Sequence, residues 1–336
     1  MSVENNAWKL AARPDGDIKQ GDLEWVTETL PDPAEGEICV RHVYLSLDPT
    51  NRIWMSDIDQ YMPPVAIGDV MRGGTLGIVE ASNANGYAVG DMVNGMGGWQ
   101  EYTVGPANEW QVLPKDTGLP MTVFMGCLGF IGMTAYFGLL EICDPKPGET
   151  VVVNAAAGAV GSLVGQIAKI KGARVVGIAG ADDKCKWIKD DLGFDEAINY
   201  KKENVLEMLK KHCPDGIDCV FENVGGQILD DQLTLMNNFS RIALCGLIST
   251  YNDLDAPGPK MFRNILMKRI MIKGFIVSDY MARAQEAMAD LGKWMMEGKL
   301  QYRVDVRPGL ENAPQVVKDL FVGANKGKLI IQISDE

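Results

Sequence analysis

Histidine is nearly missing from this chain, and that scarcity narrows its chemistry first. Only His42 and His212 occur among 336 residues. The seven cysteines are scattered and odd in number, and none forms a C-x-x-C pair. A zinc site needs Cys and His gathered together, so no such metal centre is expected; Asp and Glu stay open as ligands for a harder ion. The thiols read as reduced, buried small hydrophobes. Basic residues are in deficit: 32 Lys plus Arg stand against 45 Asp plus Glu, a net charge of −13. An acidic surface repels phosphate backbones, which argues against a nucleic-acid partner, while leaving room for one local basic pocket. No stretch of about eighteen apolar residues is present to cross a membrane. Residues 1–20 lack the apolar core of a signal peptide, and the cytoplasm is the expected location.

What is present is a large core and a change of texture. The length suits two domains, and 46% of the residues are hydrophobic. The first third is rich in glycine and short β-like runs: 38–47, 76–82, 91–95 and 100–105. Such runs, punctuated by Gly73-Gly74 and Gly97-Gly98, predict a compact all-β unit. Near Gly126 the pattern changes to alternating strands and helices. Strands are predicted at 150–154, 174–179, 197–200, 218–221, 241–245 and 271–277. Helices are predicted at about 159–171, ended by Gly172, at 182–192, and at 280–297. Six strands with helical crossovers describe a doubly wound parallel sheet. The β-branched run 328–333 finds no place in that sheet and is predicted to return to the first domain.

The sharpest motif is Ala155-Ala-Ala-Gly158-Ala-Val-Gly161, set between a predicted strand and a predicted helix. Aligned with G-x-G-x-x-G, its key positions are Ala156, Gly158 and Gly161. A dinucleotide requires a tight turn there, then close approach of backbone to pyrophosphate, then close helix–sheet packing. The helix N-terminus, with Ala159 and Val160 in its first turn, offers free N–H groups to phosphate. Enzymes that use NAD place an acid after the second strand. Here that strand ends Ile178-Ala179-Gly180. Asp182 is expected to cap the next helix, leaving Lys184 to reach the 2′-phosphate of NADPH; the other reading of Lys184 is an ordinary solvated lysine.

The segment AAAGAVG, followed by GSLVGQIAK (161–169), resembles the zinc-independent medium-chain dehydrogenases/reductases. The likeness extends to VYLSLDP (43–49), GMTAYFGLL (132–140), LGFDEAINYK (192–201), ENVGG (222–226) and RIALCGLISTYN (241–252). Within that family the chain is most similar to the leukotriene B4 dehydrogenase/prostaglandin reductase group and to bacterial NADPH-dependent curcumin reductases. The resemblance implies a GroES-like β domain over 1–125, with 300–336 returning to it, and a Rossmann NADP-binding domain over 126–299, an α/β chain overall. It also implies a homodimer. Zinc-binding relatives carry a ligand cysteine near 46–48, where this chain has Ser46-Leu47-Asp48.

By position, the resemblance assigns Lys184 to the 2′-phosphate and Tyr200 to the adenosine phosphate. It sets Asn223 near the nicotinamide ribose or phosphate and Thr134 near the nicotinamide. Cys245, Gly246 and Ser249, with Phe275 and Val277, are implied along the cofactor path, and Asn325 as a contact from the returning segment. Tyr251 is implied beside the substrate carbonyl. Two segments depart from the family: DPTNR (48–52) stands where DPYMR is usual, and GFIG (129–132) where GMPG is usual. The implied activity is NADPH-dependent reduction of the C=C bond of an α,β-unsaturated ketone or aldehyde, an oxidoreductase acting on CH–CH groups. Quinone reduction, zinc alcohol dehydrogenation and non-catalytic NADPH sensing remain open alternatives at this stage.

Overall fold

The computed structural model describes residues 2–115, 117–253 and 255–336. Fifteen strands occur among them. The first seven are β1 (Val3–Leu10), β2 (Leu23–Leu30), β3 (Glu37–Ser46), β4 (Thr75–Ser82), β5 (Met92–Gly95), β6 (Tyr102–Pro106) and β7 (Gln111–Val112). The next six are β8 (Thr150–Val153), β9 (Arg174–Ala179), β10 (Glu196–Asn199), β11 (Ile217–Glu222), β12 (Met236–Leu244) and β13 (Met271–Gly274). β14 (Val304–Pro308) and β15 (Lys328–Gln332) complete the set. The principal helices are α1 (Thr50–Trp54), α2 (Phe130–Phe137), α3 (Ala159–Ile170), α4 (Asp182–Asp190), α5 (Val205–His212), α6 (Gly226–Leu235), α7 (Phe262–Lys268) and α8 (Ala284–Met296).

Two compact units emerge. The first runs to Met125 and takes in Val304–Asn325 and Leu329–Glu336; the second holds Gly126–Arg303 and Lys326–Lys328. The first unit is built on a seven-stranded sheet in the order β14-β15-β3-β4-β5-β7, with β6 also paired to β3. β3 lies in the middle and is buried along nearly its whole length. β15 runs antiparallel to it, with Ile330 opposite Ser46 and Ile331 opposite Leu45. One face packs into a core that includes Leu45, Trp54, Met71, Trp99 and Leu329. β1 and β2 form a separate antiparallel ribbon. The sequence does not announce that ribbon, because most of its residues face water and carry no apolar period.

The second unit holds a six-stranded sheet in the order β10-β9-β8-β11-β12-β13, with every resolved pairing parallel. The central strand β8 is all Thr and Val and wholly buried, as a strand covered on both faces must be. Val152, Val176, Val220 and Ile242 supply the shared core. α3 ends at Ile170, and Gly172 follows with φ 82°, the left-handed turn that stops a helix. This is the expected α/β pattern of a β domain joined to a doubly wound sheet.

Three local expectations need correction. β12 begins at Met236, because the polar stretch Asn237–Ser240 conceals its start. The helix expected over 280–297 is a 3₁₀ segment from Val277 to Arg283, and α8 starts only at Ala284. Within that segment Tyr280 stacks on Phe137, with centroids 4.8 Å apart, which ties the chain to α2. Asp182 does not cap α4: the cap position is Ala181 and has no side-chain bond. The Asp182 carboxylate instead pairs with Lys202 and accepts from Asn199 Nδ2 at 2.6 Å. No helix of the described residues is long and apolar enough to cross a membrane.

Candidate functional site

Parallel strands bring their C-terminal ends to one edge of the sheet, and a crevice opens where the strand order reverses. In the second unit that point lies between β8 and β11, which pair through Val151–Cys219 and Val153–Phe221. The glycine-rich turn leaves β8 there. Ala155 has φ 47°, a left-handed conformation costing an alanine roughly 1–2 kcal/mol. Ala156 N–H donates to Ile178 O of β9 at 3.0 Å, which ties the turn to the neighbouring strand. Gly158 is the N-cap position of α3, so Ala159 and Val160 are its first helical residues. A Cβ on Gly161 would lie 2.5 Å from Ala155 O and 3.0 Å from the Ala156 Cα, so helix and turn touch through bare backbone. Gly158 also bridges to Gly327, whose N–H donates to Ala157 O at 3.1 Å.

On one side of this turn are β9, β10 and α4. Tyr200 N–H donates to Ala179 O at 3.1 Å, and the Tyr200 ring lies over Gly180. Lys184, in the first turn of α4, is only 8% exposed. That burial counts against the solvated-lysine reading. Beside it, Asp183 pairs with Lys326 and is held below the usual carboxylate range by that ammonium group.

On the other side, β11 and β12 end in a stitched pair of loops. Asn154 Nδ2 donates to Glu222 Oε1 at 2.6 Å, and Asn154 Oδ1 accepts from Asn223 N–H at 2.6 Å. The same Glu222 oxygen accepts from Val224 and Gly225 N–H, both at 2.7 Å. Glu222 is fully buried, and its Oε2 has no hydrogen-bond partner among the described residues. Burial pushes its carboxyl above the usual range, against the pull of those N–H donors. Gly225, at φ 78°, makes the turn that points these N–H groups back at one oxygen. Cys245 and Gly246 N–H both donate to Glu222 O. Ile248 N–H donates to Asn223 O at 3.0 Å, and Ser249 Oγ donates to Val224 O at 2.5 Å. Burial, with Glu222 adding to it, pushes the Cys245 thiol up to about 12.

Tyr251 closes the second loop. Its phenol oxygen accepts from Leu247 N–H at 3.1 Å and sits against Gly246. Asn223, Cys245, Gly246, Ser249 and Tyr251 are thus gathered into one hydrogen-bonded group. Thr134 and Phe275 stand differently. The Thr134 hydroxyl donates to Phe130 O at 2.7 Å within α2. Phe275 is buried, edge-on to Phe221 with centroids 6.1 Å apart; Val277 opens the 3₁₀ segment that follows. Asn325, buried, ends the Val304–Asn325 stretch of the first unit. Sequence reasoning overlooked Asn154 and Glu222; the only signal was their place at the last residues of adjacent strands.

A dinucleotide suits this edge. It offers a backbone-lined turn at a helix start, a buried ammonium group after the second strand with no acid at 179–180, and polar loops beyond the crossover. Ligands for zinc are not gathered among the described residues. The His42 ring is buried and bonded through Nδ1 to Gln100 O at 2.7 Å. Burial pushes the Cys127 and Cys213 thiols up to about 12. Among the described residues no group of three or more His, Cys, Asp or Glu is placed to hold a metal ion.

Two family models match: one described as the N-terminal domain of oxidoreductase over residues 6–113, the other as zinc-binding dehydrogenase over 159–294. The chain is 43% identical to the NADPH-dependent curcumin reductase of Escherichia coli (strain K12), over 99% of this chain and 98% of that one. It is 42% identical to the 2-alkenal reductase (NADP(+)-dependent) of Nicotiana tabacum, over 95% of this chain and 94% of that one. Among solved structures it is similar to CurA in complex with NADPH from Vibrio vulnificus. The TM-score is 0.94 and the identity 45%, over 98% of this chain and 100% of that one.

Proposed function

The chain belongs to the medium-chain dehydrogenase/reductase family, in the group of curcumin, prostaglandin and alkenal reductases, and from that premise we propose that it reduces the C=C bond of α,β-unsaturated ketones and aldehydes with NADPH. The observation that carries this reading is the Tyr251 phenol, anchored by Leu247 N–H next to the loops that leave the crossover point. When bound, NADPH supplies a hydride to the β-carbon of the enone.

The chain's own residues do the rest. Gly158 and the N–H groups at Ala159 and Val160 hold the pyrophosphate, and Lys184 neutralises the 2′-phosphate, with Tyr200 beside it. Asn223, set by Asn154, orients the nicotinamide ribose, and Thr134, Cys245, Gly246, Ser249, Phe275 and Val277 complete the cradle. Tyr251 O–H donates to the carbonyl oxygen, where negative charge grows as the enolate forms. A donor aimed at charge that develops only in the transition state lowers the barrier. A phenol, ordinarily titrating near pH 10, is protonated at neutral pH and can play this part.

The test is steady-state kinetics on a panel of enones, enals and quinones with NADPH and NADH. Tyr251→Phe should lower kcat on enones by roughly 10²–10³-fold, and Lys184→Ala should raise KM for NADPH while sparing NADH. Unchanged enone turnover in Tyr251→Phe, or turnover of quinones alone, would overturn the reading.

A homodimer and a cytoplasmic location belong to the same proposal. β13 is an edge strand whose four residues are all exposed, and α7 beside it exposes Phe262, Leu266 and Met267. An open edge flanked by apolar side chains calls for a partner strand. The seven free cysteines suit a reducing compartment.

A further inference from the structure

The first unit carries an unpaired cation in an acidic protein. Arg72 is half-buried, and burial pulls its guanidinium below the usual arginine range. No carboxylate of the described residues lies within ion-pair distance of it. Its Nη1 donates to Pro63 O at 2.9 Å, which occupies one of five N–H donors. The guanidinium carbon lies 5.5 Å from the centroid of the Trp54 ring, within cation–π range.

The surroundings are built rather than incidental. The Tyr61 hydroxyl accepts from Trp54 Nε1–H at 2.9 Å and shares a 2.7 Å hydrogen bond with Thr50 Oγ1. Asn51, fully buried, donates from Nδ2 to the backbone oxygen of Arg72 at 3.2 Å, and its Oδ1 accepts from Asp48 N–H at 2.7 Å. Thr50 and Asn51, the two residues that distinguish DPTNR in this chain, are therefore both wired to the same corner. One orients a phenol and the other sets the backbone that bears the guanidinium.

A planar cation with spare donors, set near an indole whose N–H meets the Tyr61 hydroxyl, matches a planar anion with an apolar body. Isolated desolvated charges are costly, so a site that keeps one without a counter-ion is poised to receive one. We infer that Arg72, Tyr61 and Thr50 form a binding site for a monocarboxylate on the first unit, with Trp54 as its apolar wall. The bond pattern is bidentate: two guanidinium N–H groups meet the two carboxylate oxygens, and the Tyr61 hydroxyl donates to one of them. A phosphate monoester offers oxygens too, but it is tetrahedral and doubly charged, and a single fork leaves much of its charge unmet.

The experiment is calorimetry and ligand-observed NMR on the full chain with 4-phenylbutanoate, its methyl ester and inorganic phosphate. The acid should bind, and the ester and phosphate should bind at least roughly tenfold more weakly, the loss expected for one charged hydrogen-bonded contact. Arg72→Met should weaken the acid by a similar factor, Tyr61→Phe by a few-fold, and Arg72→Lys should restore part of the loss. Unchanged melting temperatures show that the variants fold. Equal binding of acid and ester, or equal binding by wild type and Arg72→Met, overturns the inference.

The inference stands apart from the reductase reading, because binding is measured without turnover. A kinetic arm separates two sources of the carboxylate. A carboxylated enone favoured over its methyl ester in kcat/KM, with the preference lost in Arg72→Met, assigns the carboxylate to the substrate. Equal turnover of both, with acid binding intact, assigns it to a free carboxylate.

Discussion

At the scale of single residues, the turn after β8 holds two opposite backbone choices. Ala155 tolerates a left-handed conformation that glycine would adopt freely, whereas Gly161 leaves no space for even a methyl group. Gly161→Ala would press Cβ onto backbone atoms that cannot move without shifting β8. The expected cost is about 1–3 kcal/mol of stability, read by urea unfolding, together with weakened NADPH binding. His42 gives a pH signature. Burial lowers its pKa to about 4 from 6.5, partly offset by the Gln100 carbonyl. A depressed pKa means the folded state prefers the neutral ring. The contribution is therefore full above pH 6.5 and is lost as the pH falls toward 4. Its size is on the order of 3 kcal/mol. Urea midpoints measured across that window should fall more steeply for wild type than for His42→Gln; parallel curves would show that the ring is not the group titrating.

At the scale of elements, the legible parts were those whose own residues satisfy a local rule. β8, β9 and β11 are short apolar runs, and α3 has apolar spacing with a terminating glycine; each was found within a residue or two of its observed bounds. The β1–β2 ribbon and the start of β12 were not legible, because β2 is mostly exposed and β12 opens on the polar stretch 237–240, so neither shows a clear apolar pattern of its own. The candidate site divides in the same way. The glycine-rich turn and Lys184 could be pointed to from local spacing. The Asn154–Glu222 link could not, since it joins residues 68 positions apart that meet only when β8 pairs with β11. That link makes a prediction at this scale. Asn154→Leu leaves the Asn223 N–H buried without its acceptor and removes one donor from Glu222. The expected loss is about 1–3 kcal/mol, with a rise in Kd for NADPH because Asn223 is no longer fixed. Stability alone falling, with Kd unchanged, would confine Asn154 to a structural part.

At the scale of the whole molecule, the exposed edge at β13 carries the assembly prediction. Light scattering should report twice the chain mass for wild type. Ile272→Lys combined with Leu266→Glu, which sets charge on the open edge and on α7, should shift it to a single chain without loss of secondary structure. A wild-type monomer at micromolar concentration would refute the proposed dimer. The place of β15 has a different consequence. This strand sits between β14 and β3, well inside the first sheet, yet it lies downstream of every strand of the second unit. During translation the six parallel strands emerge while the earlier sheet still lacks an interior member. The nascent polypeptide thus matures out of order: its middle can settle first, and its beginning stays one strand short until β15 is made.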